Sequence, residues 1–293
     1  MFLIRKFSKK RNWFHYYDNL MNNFVKITLI LLILSLGYYT MILEPNNIQI
    51  ERQVIIIKDL PQSFDKIRIV HLSDFHSLWF GWREKKVLKI VEELKPNFVF
   101  ITGDFVDPVT KVITDRKLTS VRIFWQKLGE RYKDRIFGVL GNHDNEAIKK
   151  LLEEKGILIL NNENKKLILE EEYIYLIGVN DPFTGRDDLL EAMRGIEEDK
   201  PRILLAHGPE IMKETESKKM DLILVGHTHG GQVNLPLLGQ LIQPLSKYGR
   251  QYTKGLFKIE STYLHVNRGI GTSFFPIRFN CPAEIIFFEL LKK

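Results

Sequence analysis

Cysteine is nearly absent from this chain of 293 residues, which holds only Cys281. A single thiol excludes an internal disulfide and a zinc site built from cysteines. Because Cys281 lies beside Pro282 in a loop-like stretch, we interpret it as a packing residue rather than a reactive thiol. Internal repeats and low-complexity segments are also lacking. The apolar fraction (44%) and charged fraction (27%) are those of a globular protein.

Excess charge is scarce outside the amino terminus. The formal net charge is +7, and residues 1–26 carry +5 of it, with six basic side chains against Asp18 alone. A nucleic-acid-binding face needs clustered lysine and arginine on the domain itself. The nearly neutral remainder therefore argues against nucleic acid as a partner.

A run of 17 residues without charge, Ile27 to Leu43, follows the basic segment. Its length is at the short end of the range for a membrane-spanning helix, and the span lengthens if Lys26 snorkels. A signal peptide is one alternative, but the basic region is long and no small-x-small cleavage site follows. A helix lying in one leaflet is another alternative. We expect an uncleaved anchor, with membrane as a partner.

The anchor divides the chain into four expected parts. These are a basic cytoplasmic amino terminus at 1–26, a transmembrane helix at 27–43, a connecting segment with one strand at 44–66, and one domain at 67–293. The positive-inside bias then places the domain outside the cytoplasm, in a single-pass protein of the cell membrane.

The domain begins with a strand-helix-strand pattern. Its segments are a strand at 67–72, a helix at 84–95 and a strand at 98–102. The two strands should be parallel, so Asp74, His76 and Asp104, which follow them, are expected at one edge of a sheet. Late runs at 256–260, 263–266 and 284–290 predict strands of a second, largely antiparallel sheet.

Three further strand-like runs also end in polar side chains. They lead into Gly141-Asn142-His143-Asp144, His207 and Gly226-His227-Thr228-His229. Any one of these histidines, taken alone, is better explained as a hydrogen-bonded core or surface residue. Jointly, five of the chain's eight histidines follow strand ends, whereas His71 and His265 lie inside apparent strands. Asp, His and Asn are the side chains that hold hard or borderline divalent cations.

Seven residues are candidate metal ligands: Asp74, His76, Asp104, Asn142, His207, His227 and His229. Seven is too many for one closed tetrahedral site but suits two metals that share a bridging carboxylate. Two metals about 3.5–4 Å apart lower the pKa of a shared water and clamp the oxygens of an in-line phosphoryl displacement. The ligand types accept manganese, iron, zinc or nickel, and manganese is our expectation.

His143 is the candidate general acid. Adjacent residues point apart, so His143 is poorly placed to be a ligand if Asn142 is one. It could instead protonate the leaving oxygen, with Asp144 orienting the ring and favouring its charged form.

Taken together, these motifs resemble the calcineurin-like metallophosphoesterase superfamily over roughly residues 65–290. The carboxyl-terminal part, with Arg268-Gly269-Ile270-Gly271 and Pro276-Ile277-Arg278, is similar to the membrane-anchored bacterial YkuE/YaeI-like branch. The resemblance implies an α/β fold, a four-layer α/β/β/α sandwich of two mixed sheets flanked by helices. It also implies one metal on Asp74, His76, Asp104 and His229, a second on Asp104, Asn142, His207 and His227, and His143 as the acid.

The sequence indicates less about the substrate than about the metal ligands. Two loops near the site, residues 78–82 and 274–277, are unusually apolar and could either face lipid or cap the core. Arg278, with Asn142, is a candidate substrate contact, because a guanidinium fork suits a diester or pyrophosphate; a surface salt bridge is the alternative.

We expect a membrane-anchored two-metal hydrolase of phosphodiester or pyrophosphate bonds, with hydroxide as the nucleophile, acting on an envelope or lipid-linked substrate. One specific alternative is a UDP-2,3-diacylglucosamine pyrophosphatase of lipid A synthesis, which needs an active site facing the cytoplasm. A nuclease is disfavoured by the neutral body. A non-catalytic metal-binding scaffold is disfavoured by the presence of His143. The oligomeric state stays open.

Overall fold

Two compact units make up the chain, Met1–Leu43 and Glu44–Lys293. The computed structural model describes residues 2–77, 80–107, 115–215, 218–241, 246–273 and 275–293; for residues 2–16, 18 and 115–121 only the backbone is described. Leu78, Trp79 and Phe274, which belong to the two apolar loops, lie outside the described residues.

The first unit is one helix. α1 spans Phe2–Tyr38, and a π-helical turn, Tyr39–Leu43, continues it. The window Asn19–Asn46 has a mean hydropathy of 1.9 and is long and apolar enough to cross a membrane. The apolar helix expected at 27–43 is therefore present, and the cytoplasmic location of residues 1–26 stays a prediction.

The second unit contains both strands and helices. The strands are β1 (Gln49–Ile57), β2 (Arg68–Leu72), β3 (Phe98–Thr102), β4 (Ile136–Val139), β5 (Leu158–Ile159), β6 (Glu163–Leu169), β7 (Glu172–Gly178), β8 (Arg202–Leu205), β9 (Leu222–Val225), β10 (Asn234–Leu235), β11 (Gly239–Gln240), β12 (Gly255–Ile259), β13 (Thr262–Val266) and β14 (Glu284–Lys292). The helices are α2 (Glu44–Asn46), α3 (Trp82–Leu94), α4 (Asp115–Arg131), α5 (Glu146–Glu153), α6 (Leu189–Ala192), α7 (Met212–Thr215) and α8 (Lys247–Gln251).

Both six-stranded sheets are mixed. The first has the order β1-β14-β2-β3-β4-β5, in which β2 to β5 are parallel and β14 runs antiparallel to β2. The second has the order β12-β13-β9-β8-β7-β6, with a parallel centre and an antiparallel hairpin at each edge. Parallel centres put the carboxyl ends of successive strands at a common edge.

Apolar side chains from facing strands join the two sheets. Phe100 and Phe137 of the first sheet pack in one buried cluster with Leu205 and Leu224 of the second. A second cluster, which includes Trp125, fills the space between the first sheet and its helices, and a third, which includes Leu264, covers the outer face of the second sheet. The second unit is therefore the expected four-layer sandwich of two mixed sheets flanked by helices.

The structure differs from the sequence-based expectation at both ends of the domain. Residues 44–66, expected to be a connecting segment, belong to the second unit, and β1 pairs in parallel with β14 along its whole length. Residues 284–290, expected in the second sheet, lie in β14 of the first sheet. Strand pairing between distant segments leaves no local signal, because an edge strand and a central strand can share the same apolar pattern.

Candidate metal centre

The candidate ligands converge at the carboxyl ends of the parallel strands of both sheets. The first sheet contributes Asp74 and His76 after β2, Asp104 after β3 and Asn142 after β4. The second contributes His207 after β8, and His227 and His229 after β9. In open α/β sheets, binding sites form at this edge because the loops there face a common crevice. Carboxylates and the amide come from one sheet, and three of the four histidines come from the other.

The backbone at these ligands is in an uncommon conformation. Asp74, His76, Asp104, His227 and His229 all have φ between 43° and 67°, in the left-handed region. A non-glycine residue there costs roughly 1–3 kcal/mol and persists only where the surrounding structure holds it. The fold therefore stores backbone strain to point these five side chains at one another.

Glycines allow the ligand loops to pack against each other. A Cβ atom on Gly103 would lie 2.6 Å from both the backbone nitrogen of Gly141 and Nδ1 of His207. A Cβ atom on Gly141 would lie 2.2 Å from Oδ1 of Asp104. Any side chain at either position would displace a candidate ligand or the backbone beside it.

Asp74, His76 and His229 form the first ligand group, which is buried. One donor atom from each lies within 4.8 Å of the other two. Nε2 of His76 lies 3.1 Å from Nε2 of His229 and 3.4 Å from Oδ2 of Asp104, and Nε2 of His229 lies 3.5 Å from Oδ1 of Asp74. Burial lowers the pKa of His76 to about 4 and the pKa of His229 well below its ordinary value. Both rings are therefore neutral at pH 7, the state in which imidazole binds metals.

The second ligand group gathers around His207. Its Nε2 lies 3.3 Å from Oδ2 of Asp104, 3.0 Å from Oδ1 of Asn142 and 3.1 Å from Nδ1 of His227. Nδ1 of His207 lies 2.7 Å from the carbonyl oxygen of Thr102, which fixes the ring orientation and directs Nε2 into the site. One oxygen of Asp104 thus lies between His76 of the first group and His207 of the second.

The carboxylates of the two groups differ in charge. Burial raises the pKa of Asp74 to about 7. Burial also acts to raise the pKa of Asp104, but the neighbouring His207 outweighs it and holds that pKa well below its ordinary value. Burial acts to lower the pKa of His207, and Asp104 raises it well above its ordinary value. Asp104 is therefore the fixed negative charge at the centre of the site.

His143 lies at the open side of this cluster. It is half-buried, its ring centroid is 5.4 Å from that of His76, and its backbone N–H donates to Oδ1 of Asp104. The structure does not give Asp144 the orienting role expected of it. The carboxylate of Asp144 accepts hydrogen bonds from the N–H groups of Asp104, Phe105 and Gly141, and burial raises its pKa to about 7. Asp144 ties the two ligand loops together, because an inward-turned Asp can satisfy backbone donors in tight loops.

The structure places Arg278, the candidate substrate contact, in the interior of the fold. Its side chain is fully buried, and its guanidinium donates to the carbonyl oxygens of Arg268, Gly269, Gly271 and Cys281. Burial lowers its pKa. An arginine has five N–H donors, and here backbone carbonyls take them up. Arg278 therefore holds the turn at 268–281 in place, and the surface salt bridge, its other interpretation, is excluded by the same burial.

A loop after β7 also reaches the metal centre, although the sequence patterns did not indicate it. The ring of Phe183 lies 4.6 Å from that of His227, centroid to centroid. Arg186 is 37% exposed, and its Nη2 donates to the carbonyl oxygen of Gly141 and lies 3.7 Å from Oδ2 of the buried Asp181. The sequence signal for this loop is that Asp181 lies three residues after the parallel strand β7, near the sheet edge that also carries the ligands.

The donor set fits two divalent metals. Each group offers imidazole nitrogens and carboxylate or amide oxygens that face one another at 3.0–3.5 Å, the kinds of donor atom that bind divalent metals. The two groups meet at one oxygen of Asp104, which suits a bridging ligand.

The chain is similar to proteins named as metallophosphoesterases or phosphodiesterases. The chain is 32% identical to the metallophosphoesterase YkuE of Bacillus subtilis over 264 residues, which cover 87% of this chain and 90% of YkuE. It is 29% identical to the phosphodiesterase YaeI of Escherichia coli, over 68% of this chain and 72% of YaeI. It is 32% identical to a transmembrane protein with metallophosphoesterase domain from Danio rerio, over 79% of this chain and 54% of that protein.

A family model described as calcineurin-like phosphoesterase matches residues 67–231. That range covers the loops that carry all seven candidate ligands and His143. The geometry, the family match and the relatives agree on a metal-dependent phosphoester hydrolase with a dinuclear divalent metal site. This chain belongs to the calcineurin-like phosphoesterase family.

Proposed function

We propose that the protein is a membrane-anchored hydrolase of phosphodiester bonds whose substrate is lipid-linked. The observation that carries the two-metal part is the position of Asp104, with Oδ2 at 3.4 Å from Nε2 of His76 and 3.3 Å from Nε2 of His207. Two divalent metals held there would supply activation of water near neutral pH and neutralisation of phosphoryl charge. Asp74 and the other ligand candidates would hold them as described above.

His143 is the proposed general acid. It stands half-exposed beside His76, and its backbone N–H is fixed on Asp104, so its ring borders the space in which a phosphoryl group would meet the ligands. An imidazole at this position can give a proton to the leaving oxygen.

Arg186 is the proposed phosphate contact in place of Arg278. Its side chain reaches from a surface loop to the carbonyl oxygen of Gly141, one residue before Asn142. A partly exposed guanidinium can turn to a phosphate oxygen. The buried carboxylate of Asp181 would still accept hydrogen bonds from the N–H of Phe183 and from the N–H and hydroxyl of Thr184. The preference for diesters is supported by the name of the relative YaeI.

The test uses the full chain in detergent, loaded with manganese, on bis-p-nitrophenyl phosphate and on p-nitrophenyl phosphate. We expect faster turnover of the diester. The variant His143→Gln separates acid catalysis from a structural role, because p-nitrophenolate leaves without a proton and a phenyl or alkyl leaving group does not. We expect a much larger loss on methyl phenyl phosphate than on the nitrophenyl diester. Equal losses on both would remove the acid role, and preferred turnover of the monoester would remove the diester proposal.

The pyrophosphatase alternative is tested by orientation. It needs the domain in the cytoplasm, whereas six basic residues before the apolar helix favour the opposite orientation. A reporter fused after Lys293 that is active only outside the cytoplasm supports the diesterase; one active only inside favours the pyrophosphatase.

A further inference from the structure

The catalytic unit begins at the same edge of the sandwich that carries the ligands. β14 runs antiparallel to β2, so its first residue, Glu284, lies at the edge where β2 delivers Asp74. β1 is parallel to β14, and its first residue, Gln49, pairs with Glu284. Glu44, the first residue of the catalytic unit, is therefore at the metal edge of the sandwich.

Hydrogen bonds hold Glu44 against this edge. Its carboxylate is buried and accepts a hydrogen bond from the N–H of Cys281, whose Sγ in turn lies within 3.5 Å of the carbonyl oxygen of the ligand candidate His229. Lys86 donates from its Nζ to the carbonyl oxygen of Asn46. The first residues after the apolar run are thus fixed to two parts of the catalytic unit.

The hairpin of β10 and β11 begins near the residues that contact Glu44. The N–H of Asn234 donates to the carbonyl oxygen of Phe279, and its side-chain amide donates to that of Asn280, directly before Cys281. The base of the hairpin is therefore only a few residues from the contact with Glu44.

Large apolar side chains on this edge are turned to solvent. We call this set the apolar rim; its members are Trp82, Leu237, Leu238, Leu241 and Phe275, which are between 62% and 106% exposed. Leu237 stands at the hairpin tip with φ 68°, a position that favours glycine or asparagine, so its side chain is not what the turn requires. Several exposed apolar residues at one edge mark an interaction surface.

We propose that the apolar rim lies on the lipid bilayer, so that the metal edge faces the membrane surface and takes phosphodiesters from lipid head groups. This inference rests on the proposed function for its substrate and on the apolar helix for its location. A bilayer is the occupant favoured by covalent continuity, because the chain passes directly from Glu44 into a segment apolar enough to span one. Trp82 and the adjacent Lys85 and Lys86 add the tryptophan and lysine typical of a membrane interface.

The location is tested with the full chain in vesicles of phosphatidylethanolamine and phosphatidylglycerol. Leu238→Cys receives an environment-sensitive dye, and the only natural thiol, Cys281, is buried. Ile168→Cys is the matched control, since Ile168 is an exposed apolar residue on β6 at the opposite end of the second sheet from the ligands. We expect blue-shifted emission and quenching by spin-labelled lipid for the dye at Leu238, and neither at Ile168. Equal spectra at the two positions would overturn the proposal.

The substrate is tested with two diesters. One is hexadecyl p-nitrophenyl phosphate embedded in the vesicles, and the other is bis-p-nitrophenyl phosphate in solution. The double variant Leu237→Ser/Leu238→Ser should lower the ratio of lipid to soluble turnover at least tenfold, and Ile168→Ser should leave that ratio unchanged. An unchanged ratio in the double variant would overturn the lipid-substrate inference. If the wild type cleaves neither diester, the proposed function fails, while the dye measurement still decides where the rim lies.

Discussion

Two sets of buried polar side chains, one at the carboxyl edge of the sheets and one inside the sandwich, look alike in the sequence and differ in their partners. At the edge, His76 and His229 face each other at 3.1 Å with carboxylates on either side. Inside, His71 and His265 pack edge to face, with ring centroids 6.0 Å apart. Within the described part of the chain, neither nitrogen of His265 has a hydrogen-bond partner.

The difference shows that burial alone does not identify a site. Burial lowers the pKa of His76 and of His265 alike, to about 4 and about 3. Only the edge histidines also have converging oxygen and nitrogen atoms in front of them. Two arginines show the same difference between interior and edge. Arg278 donates its hydrogen bonds to carbonyl groups inside the fold, whereas Arg186 is partly exposed beside the metal centre.

The largest effect is expected for Asp104→Asn. This change removes the shared negative charge from between the two ligand groups. The loss of diester turnover should exceed about 100-fold, since even the partners behind a metal ligand are worth 10–100-fold. Metal content per chain, measured by plasma mass spectrometry, should fall with it. Asp199→Asn, an exposed aspartate, is the control and should behave as the wild type. Full turnover in Asp104→Asn would contradict the bridging role.

Arg278→Met tests the interior arginine. The change leaves buried carbonyl groups without donors, at about 1–3 kcal/mol for each group left unsatisfied. We expect the free energy of unfolding in urea to fall by about 3 kcal/mol or more. An unchanged unfolding midpoint, with a raised KM instead, would restore Arg278 as a substrate contact.

Arg186→Ala tests the partly exposed arginine beside the metal centre. Loss of one charge-assisted phosphate contact should raise KM for the diester about tenfold, corresponding to about 1.4 kcal/mol, with little change in unfolding free energy. Arg194→Ala, which removes an exposed arginine in a surface ion pair, is the matched control. A KM that does not differ between these two variants would remove Arg186 from the site.

The smallest effect concerns His265. Its pKa lies near 3 in the folded protein, below the ordinary 6.5, so the unfolded chain binds more protons as the pH falls below 6.5. Stability should therefore be lost on acidification from pH 6 to pH 5, and this residue should account for about 1.2 kcal/mol of that loss. Urea unfolding of His265→Leu should show a slope smaller by that amount. If the unfolding free energy changes with pH equally in the wild type and in His265→Leu, the pKa of His265 is not lowered in the folded protein.

Much of the site could be predicted because local sequence determines it. A strand ending in Gly-Asp or in Gly-His-Thr-His places its polar residues at a sheet edge, so Asp104 and His229 followed from pattern alone. Their role as metal ligands stays a prediction, although the structure brings their side chains together. The parallel order of β2 and β3 followed from the same patterns.

The rest of the fold and of the site depends on contacts between segments that are distant in the sequence. Whether an arginine can reach phosphate or binds backbone carbonyls instead depends on its burial, which the local sequence around Arg278 and Arg186 does not show. The pairing of β1 with β14 likewise has no local signature. Asp144 was placed correctly in the loop, but its carboxylate binds backbone N–H groups rather than His143.

The central claim is that one oxygen of Asp104 joins two metal sites. Anomalous diffraction from crystals of the full chain grown with manganese tests it most directly. We predict two peaks about 3.5–4 Å apart, one beside His76 and His229 and the other beside His207 and His227, with Asp104 between them. A single peak, or two peaks that do not share Asp104, would contradict the account.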